Sequence, residues 1–480
     1  MEEATTIAAI ASSMNDAGIG IVRVSGPKAL EACDLVLTDA SMKHTLTERA
    51  ANTIRFGYVL REDGSILDEA LVSVMRAPSS YTGEDVVEIN VHGGAFVLRE
   101  TLRRVLSGTK GMVRAALPGE FTKRAFLNGK MDLSAAEAVQ DMIRAQNDFA
   151  LQNAERQLSG VLGKEVRRMR ETLLHETAFI EASLDDPDVY AEQLEGYGER
   201  LRSVTEALRG DIGKLLDSAA EGRLRKDGIR CAIIGAPNTG KSTLLNCLLG
   251  TERAIVTDLP GTTRDVLEEQ LQLGEWMLLL SDTAGIRKTA DAAEEIGVQR
   301  AKETAKEAAL LFLVMDVTKV PEEAKEVLSA LPEQTPVIAV LNKADLLDDA
   351  SLSQAKERAQ VFLEEALSAG EAGRELRLIT TSLLNNEGIS SLSDAVTELF
   401  LKENTAAQGE FFLTSERHRE ALLQTAEALK RTEGGIAEGV SEEFLTVDLM
   451  EAAASLGRIT GEDVSEELID RIFSDFCMGK

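Results

Sequence analysis

The octet G-A-P-N-T-G-K-S at Gly235–Ser242 has the residue types and spacing to wrap a phosphate chain. It fits G-x-x-x-x-G-K-[ST], follows the apolar run Cys231–Ile234 and opens the helical run Ser242–Leu249, the strand-then-helix context this chemistry needs. Gly235 and Gly240 let the backbone curl so that its N–H groups face phosphate oxygens. Asn238, Thr239 and Thr243 complete the wrap. Lys241 supplies a point charge to the β- and γ-phosphates, and Ser242 offers a hydroxyl to Mg2+. The helix N-terminus adds a favourable dipole.

Two more loops of this kind follow in order. D-T-A-G (Asp282, Thr283, Ala284, Gly285) comes after the strand-like run WMLLLS. Asp282 is placed to hold the metal's water shell, and the Gly285 N–H to meet the γ-phosphate. N-K-A-D (Asn342, Lys343, Ala344, Asp345) comes after PVIAVL. A carboxylate at Asp345 accepts two N–H bonds from guanine; adenine lacks that donor pair and would leave the acceptor unpaired. The expectation is GTP rather than ATP, which also disposes of a P-loop kinase. Between the first two loops lie Thr257, Asp258, Leu259, Pro260, Gly261, Thr262 and Thr263. Thr263 is expected to complete Mg2+ coordination, with Thr262 the neighbouring alternative. Ser382 and Leu383, in TTSLLNNEG, stand where such GTPases touch the base, although Leu383 is larger than the usual small residue.

One part is missing. Ras-like GTPases place a Gln directly after D-T-A-G to orient water; here that residue is Ile286, which cannot do so. Hydrolysis then recruits another group, or the domain is a slow switch: Asn238 could hold a monovalent cation that neutralises transition-state charge, and Arg264 and Arg287 are the competing candidates.

The elements that must position these residues fall into three textures. Residues 1–130 alternate short strand-like runs with turns, as in GIGIVRVSG and GEDVVEINVHGG, and predict an α+β domain. Helical spacing occupies 131–226, broken near Asp185–Asp188, and resumes over 399–480. Between these stretches, 227–398 alternates apolar strand-like runs with helices and predicts a mostly parallel sheet, a Ras-like P-loop G domain inserted into a helical domain. The fold class is thus multidomain, α/β and α. A net charge of −29 disfavours coating nucleic acid by bulk electrostatics, though it leaves room for local basic patches. Four cysteines with no zinc spacing, two acids at the N-terminus and no long apolar run predict a reduced, cytoplasmic protein with no membrane span.

With these motifs in hand, the chain resembles the MnmE (TrmE) family of tRNA-modifying GTPases over nearly its whole length. The resemblance rests on GIGIVRVSG, YTGEDVVEINVHGG, PGEFTKRAFLNGKMDLSAAEA, GAPNTGKSTLLN, TDLPGTTRDV, DTAGIRK, NKAD and the terminal RIFSDFCMGK. It implies a homodimer whose N-terminal domain binds a 5-formyl- or methylene-tetrahydrofolate through Arg23, Glu88, Lys130 and Lys480. It implies K+ held by Asn238, Thr257, Leu259 and Thr262, and GTP hydrolysis activated when two G domains meet. Glu294 matches the family's water-orienting acid, with Glu295 one residue away. A flavin-containing partner, MnmG, is implied, and the product is an aminomethyl-type group at C5 of the wobble uridine in tRNA. Cys477 matches the terminal C-x-G-K pattern and has two readings: chemistry in the modification step, or packing beside Ile472, Phe473 and Phe476. Taken alone, Arg23 is also compatible with a surface charge and Lys130 with a solvated one. The family's Pro/Gly/Arg-rich turn before G-I-G reads SSMNDAG here. A competing reading of another class is a regulatory GTPase switch in ribosome assembly; the N-terminal motifs and the C-M-G-K tail favour the modifying enzyme.

Overall fold

A computed structural model describes residues 5–251, 269–280, 305–319, 324–329, 331, 332, 335–367, 374–400, 411–476 and 479. The chain forms two compact units. One takes 1–145, 151–213 and 417–480; the other takes 146–150 and 214–416.

The first unit begins with β1 (Thr6–Ile10), β2 (Ala17–Ser25), α1 (Ala29–Asp34), β3 (Leu37–Asp39), β4 (Thr53–Leu60), β5 (Ile66–Met75), β6 (Val86–Gly93), α2 (Ala95–Gly108) and β7 (Val113–Ala115). Among the described residues the strands make a seven-stranded sheet in the order β3-β4-β5-β6-β2-β1-β7. Period-two alternation decides its faces. Val22, Val24, Val72, Val74, Val87, Ile89 and Val91 are buried in one core with Leu98 and Val105 of α2. The intervening positions point the other way, and the antiparallel register sets Arg23 opposite Glu88.

Helices follow: α3 (Glu120–Leu127), α4 (Leu133–Arg144), α5 (Asp148–Leu158), α6 (Val161–Asp185), α7 (Pro187–Leu194) and α8 (Tyr197–Asp227). The Asp132 side chain caps α4 by accepting the Ala135 N–H at 2.9 Å. The break expected near Asp185–Asp188 is the α6–α7 junction, where Pro187 takes the first position of the new helix.

The second unit holds β8 (Ile229–Ile234), α9 (Lys241–Thr251), β9 (Glu269–Leu273), β10 (Trp276–Leu280), β11 (Leu310–Asp316), α10 (Ala324–Leu328), β12 (Val337–Asn342), α11 (Asp349–Leu367), β13 (Leu376–Thr380) and α12 (Ile389–Phe400). Among the described residues its sheet has six strands in the order β13-β12-β11-β8-β10-β9. All pairs are parallel except the β9–β10 hairpin. Both faces are covered by apolar cores, which is why β11 and β12 read as unbroken apolar runs. The loops after β8, β12 and β13 emerge at the carboxyl ends of the strands, where open α/β sheets bind ligands.

The chain ends with α13 (Glu416–Glu438), α14 (Glu442–Thr460) and α15 (Glu466–Ser474). Within the first unit, α14 lies along α6, so helices far apart in sequence pack together. Glu137 of α4 joins them further. Its carboxylate accepts from Arg417 at 2.8 and 2.9 Å and lies 2.7 Å from Nε2 of buried His418. Burial opposes its charge, but His418 and Arg417 hold its pKa down at about 2. No described helix is long and apolar enough to cross a membrane.

Candidate functional sites

The phosphate loop spans the gap between β8 and α9. Lys241 Nζ reaches back across it to the carbonyls of Gly235 (2.6 Å) and Ala236 (2.8 Å), and Thr239 Oγ1 donates to Ala236 O at 2.9 Å. Burial pushes the Lys241 pKa down. An ammonium in that position gains from an anion brought beside it, which is what a phosphate supplies. Asn238 sits exposed at the crest with φ 62°. Gly240 has φ 109°, and a Cβ there would lie 2.2 Å from Nδ2 of Asn342. That position therefore excludes any side chain for two independent reasons.

Asn342 closes the cradle. Its Nδ2 donates to Thr239 O at 2.9 Å, and its Oδ1 accepts the Leu383 N–H at 3.1 Å and Thr381 Oγ1 at 3.4 Å. One buried amide thus ties the phosphate loop to the segment after β13. This resolves the oversized Leu383: its N–H holds Asn342, and its side chain is buried in the core. Ser382 Oγ donates to Asp345 Oδ1 at 2.6 Å and aims the carboxylate expected to read guanine. The Ala344 N–H bonds to Thr381 O at 3.1 Å.

Sequence reasoning missed Asp316. It closes β11 opposite Asn342, and its Oδ2 accepts Lys343 Nζ at 2.6 Å. Its Oδ1 accepts from the Thr318 N–H (2.9 Å) and hydroxyl (2.7 Å). Burial works against ionisation, but these bonds hold the carboxyl below its usual range. Lys343 itself is left-handed, with φ 68°. The available signal was an Asp ending an apolar strand next to the one that carries N-K-A-D.

Ser242 and Thr243 lie in the first turn of α9. Thr257, Asp258, Leu259, Pro260, Gly261, Thr262, Thr263 and Arg264 lie outside the described residues. So do Asp282, Thr283, Ala284, Gly285, Ile286, Arg287, Glu294, Glu295, Cys477 and Lys480. Of the expected Mg2+ ligands, Ser242 is described; of the K+ ligands, Asn238. No group of three or more His, Cys, Asp or Glu placed to hold a metal ion occurs among the described residues.

A second site lies in the other unit. Arg23 pairs with Glu88 through Nε and Nη2, both 2.8 Å from Oε1. Its guanidinium carbon stands 5.7 Å from the ring centres of Tyr81 and of Phe121. Its Nη1 donates to the carbonyl of Gly479 at 3.4 Å. Arg23 is therefore a partnered cation in a lined recess, not a solvated surface charge. Lys130 donates to Pro78 O at 2.9 Å, on the loop that leads to Tyr81. Below, Ser25, Thr82, Glu84, Arg124, Glu120 and Arg114 form a connected polar network. Burial opposes charge on Glu120, yet Arg114, the Leu117 N–H and Arg124 hold its pKa down at about 2.

The chain end approaches this site along α15. That helix stops at Ser474. Phe473 and Phe476 are buried with Leu133 and Ala136 of α4. Gly479 has φ 94°, and a Cβ there would lie 2.1 Å from Ile10 O, so the final turn needs glycine.

Comparison with known proteins extends the picture. Residues 6–130 match the family model described as "GTP-binding protein TrmE N-terminus", and 133–477 match "MnmE helical domain". A tRNA modification GTPase MnmE from Geobacillus kaustophilus is 42% identical over 481 residues, covering 100% of both chains. The protein of that name from Lachnoclostridium phytofermentans is 41% identical over 476 residues, covering 99% of each. The one from Clostridioides difficile is 39% identical over 476 residues, again covering 99% of each.

Proposed function

Because the chain belongs to the MnmE family of tRNA modification GTPases, we propose that it hydrolyses GTP to drive modification of wobble uridine in tRNA. With a flavoprotein partner of the MnmG type, it uses a one-carbon tetrahydrofolate to build an aminomethyl-type group at C5. It works in the cytoplasm as a homodimer.

One observation supports the reading: a single chain combines a phosphate loop tied by Asn342, with Asp345 aimed by Ser382, and a partnered Arg23 that donates to the carbonyl of Gly479. In the cradle, Asp345 selects guanine and Ser382 keeps its carboxylate in place. Lys241 and the loop N–H groups hold the phosphates, with Ser242 and Thr263 on Mg2+. Asn238, Thr257, Leu259 and Thr262 hold K+, which supplies positive charge beside the phosphates. Glu294 orients the attacking water that Ile286 cannot. In the other unit, Arg23, Glu88, Lys130 and Lys480 bind the folate, whose carboxylates and pterin suit a cation flanked by aromatic rings.

The test joins cells and purified protein. Nucleosides from tRNA of cells lacking this protein are expected to lose the C5 group at the wobble position, by mass spectrometry. GTP turnover of the purified chain is expected to be faster in K+ than in Na+ at matched ionic strength. Intact wobble nucleosides together with a ribosome-assembly defect would overturn the modifying role. Equal turnover in the two salts would overturn the cation role.

A further inference from the structure

The chain end is held at a second point, on α4. Gln140 Nε2 and Arg144 Nη2 both donate to the carbonyl of Asp475, at 2.8 and 2.9 Å. Leu133, Ala136, Gln140 and Arg144 recur at helical spacing and share one face of α4. The first two pack Phe473 and Phe476; the last two take the carbonyl at which α15 stops. That carbonyl carries part of the negative end of a helix dipole, which favours a guanidinium beside it. The helix that does the holding is itself fixed, because Glu137 binds Arg417 one turn earlier.

Beyond Asp475, the Phe476 N–H returns to Phe473 O at 3.1 Å. Gly479 then fits against Ile10 and Ala11 and gives its carbonyl to Arg23. Three residues therefore separate a carbonyl fixed on α4 from one fixed on Arg23. The chain between them reaches at most about 14 Å, so where the Asp475 carbonyl is fixed bounds where Gly479 can lie.

We infer that Gln140 and Arg144 are positioning residues for the Arg23 site: by fixing the Asp475 carbonyl they set where the chain end meets Arg23. This rests on the reading above that the Arg23 site takes part in uridine modification. Neither residue touches the recess. A purely structural role, capping α15, would instead act through stability.

The test uses the full-length Gln140→Ala/Arg144→Ala double variant, with Arg144→Lys as the conservative control. Hydrogen exchange of the amides from Phe476 to Lys480 is expected to accelerate about tenfold, the loss of roughly one net hydrogen bond. Wobble modification in cells carrying only the variant is expected to fall several-fold, while GTP turnover and Tm stay at wild-type values. Arg144→Lys keeps a cation at the carbonyl and is expected to retain most of the modification. Unchanged exchange at the chain end overturns the inference, whatever modification does. Tm and turnover falling together with modification reduce the pair to a helix cap and overturn it too. Faster exchange with modification intact overturns the positioning role alone: the grip is real, but the placement of the chain end does not limit the chemistry, while loss of modification in Arg23→Lys separately tests the Arg23 site.

Discussion

The nucleotide cradle and the Arg23 recess are built in opposite ways. The cradle is made of backbone. Its phosphate loop is one continuous turn, and side chains such as Asn342 and Ser382 serve mainly to tie main-chain segments or to aim one carboxylate. The recess is made of side chains from β2, β6, the loop at Tyr81 and α3, met by a carbonyl from the far end of the chain. A backbone-built site should be most sensitive where a side chain is added. A site built from side chains should be most sensitive where one donor geometry is exchanged for another.

Gly240→Ala presses that contrast hardest. The new Cβ meets Asn342 Nδ2 at 2.2 Å, and alanine must also adopt φ 109°. Asn342 has to move, which releases Thr239 and Leu383 together. We expect GTP affinity to drop about 10³-fold, or roughly 4 kcal/mol, the sum of backbone strain and a broken buried network. The check is nucleotide titration alongside exchange at the chain end. Unchanged affinity would mean that the cradle is not backbone-limited.

Arg23→Lys tests the other half. Charge is kept, but lysine cannot give two donors to Glu88 and a third to Gly479 while lying between two rings. Wobble modification should fall about tenfold, one charge-assisted hydrogen bond's worth, with GTP turnover unaltered. A matching loss in turnover would show that the two sites do not separate.

The same contrast explains what could be read before the structure. Three strand runs of the nucleotide unit, Cys231–Ile234, WMLLLS and PVIAVL, were visible as apolar blocks, and its loops were visible because each motif is contiguous. The recess was not readable from spacing. Arg23 and Glu88 meet only because β2 and β6 pair antiparallel in that register, and Gly479 arrives from the other end of the chain. Likeness to a family supplied those residues; periodicity could not. Residues that act through others escaped entirely. Gln140 and Arg144 look like any polar positions on an amphipathic helix until Asp475 is placed beside them. Ser382 was singled out for the base, yet its hydroxyl goes to Asp345.

The smallest expected effect comes from such a residue inside the cradle. Asp316 touches no expected ligand position; it holds Lys343 Nζ while the Lys343 backbone sits at φ 68°. Asp316→Asn keeps the shape and an acceptor but removes the charge, so Lys343 stays nearby with a weaker tether. GTP affinity should fall about three- to tenfold, or roughly 1 kcal/mol, the worth of one charge-assisted bond that is partly replaced. The pH dependence has a definite sign. Asp316 has a folded-state pKa below its ordinary value, so its contribution is complete above the ordinary carboxylate range and is lost as pH falls through the lowered value. The gap between wild type and Asp316→Asn should therefore be flat from about pH 5 upward and close only in acid. Nucleotide titrations at several pH values check this. A gap that grows between pH 6 and 8 would mean that a different group holds Lys343, and that this corner of the cradle also depends on side-chain charge in the way the Arg23 recess does.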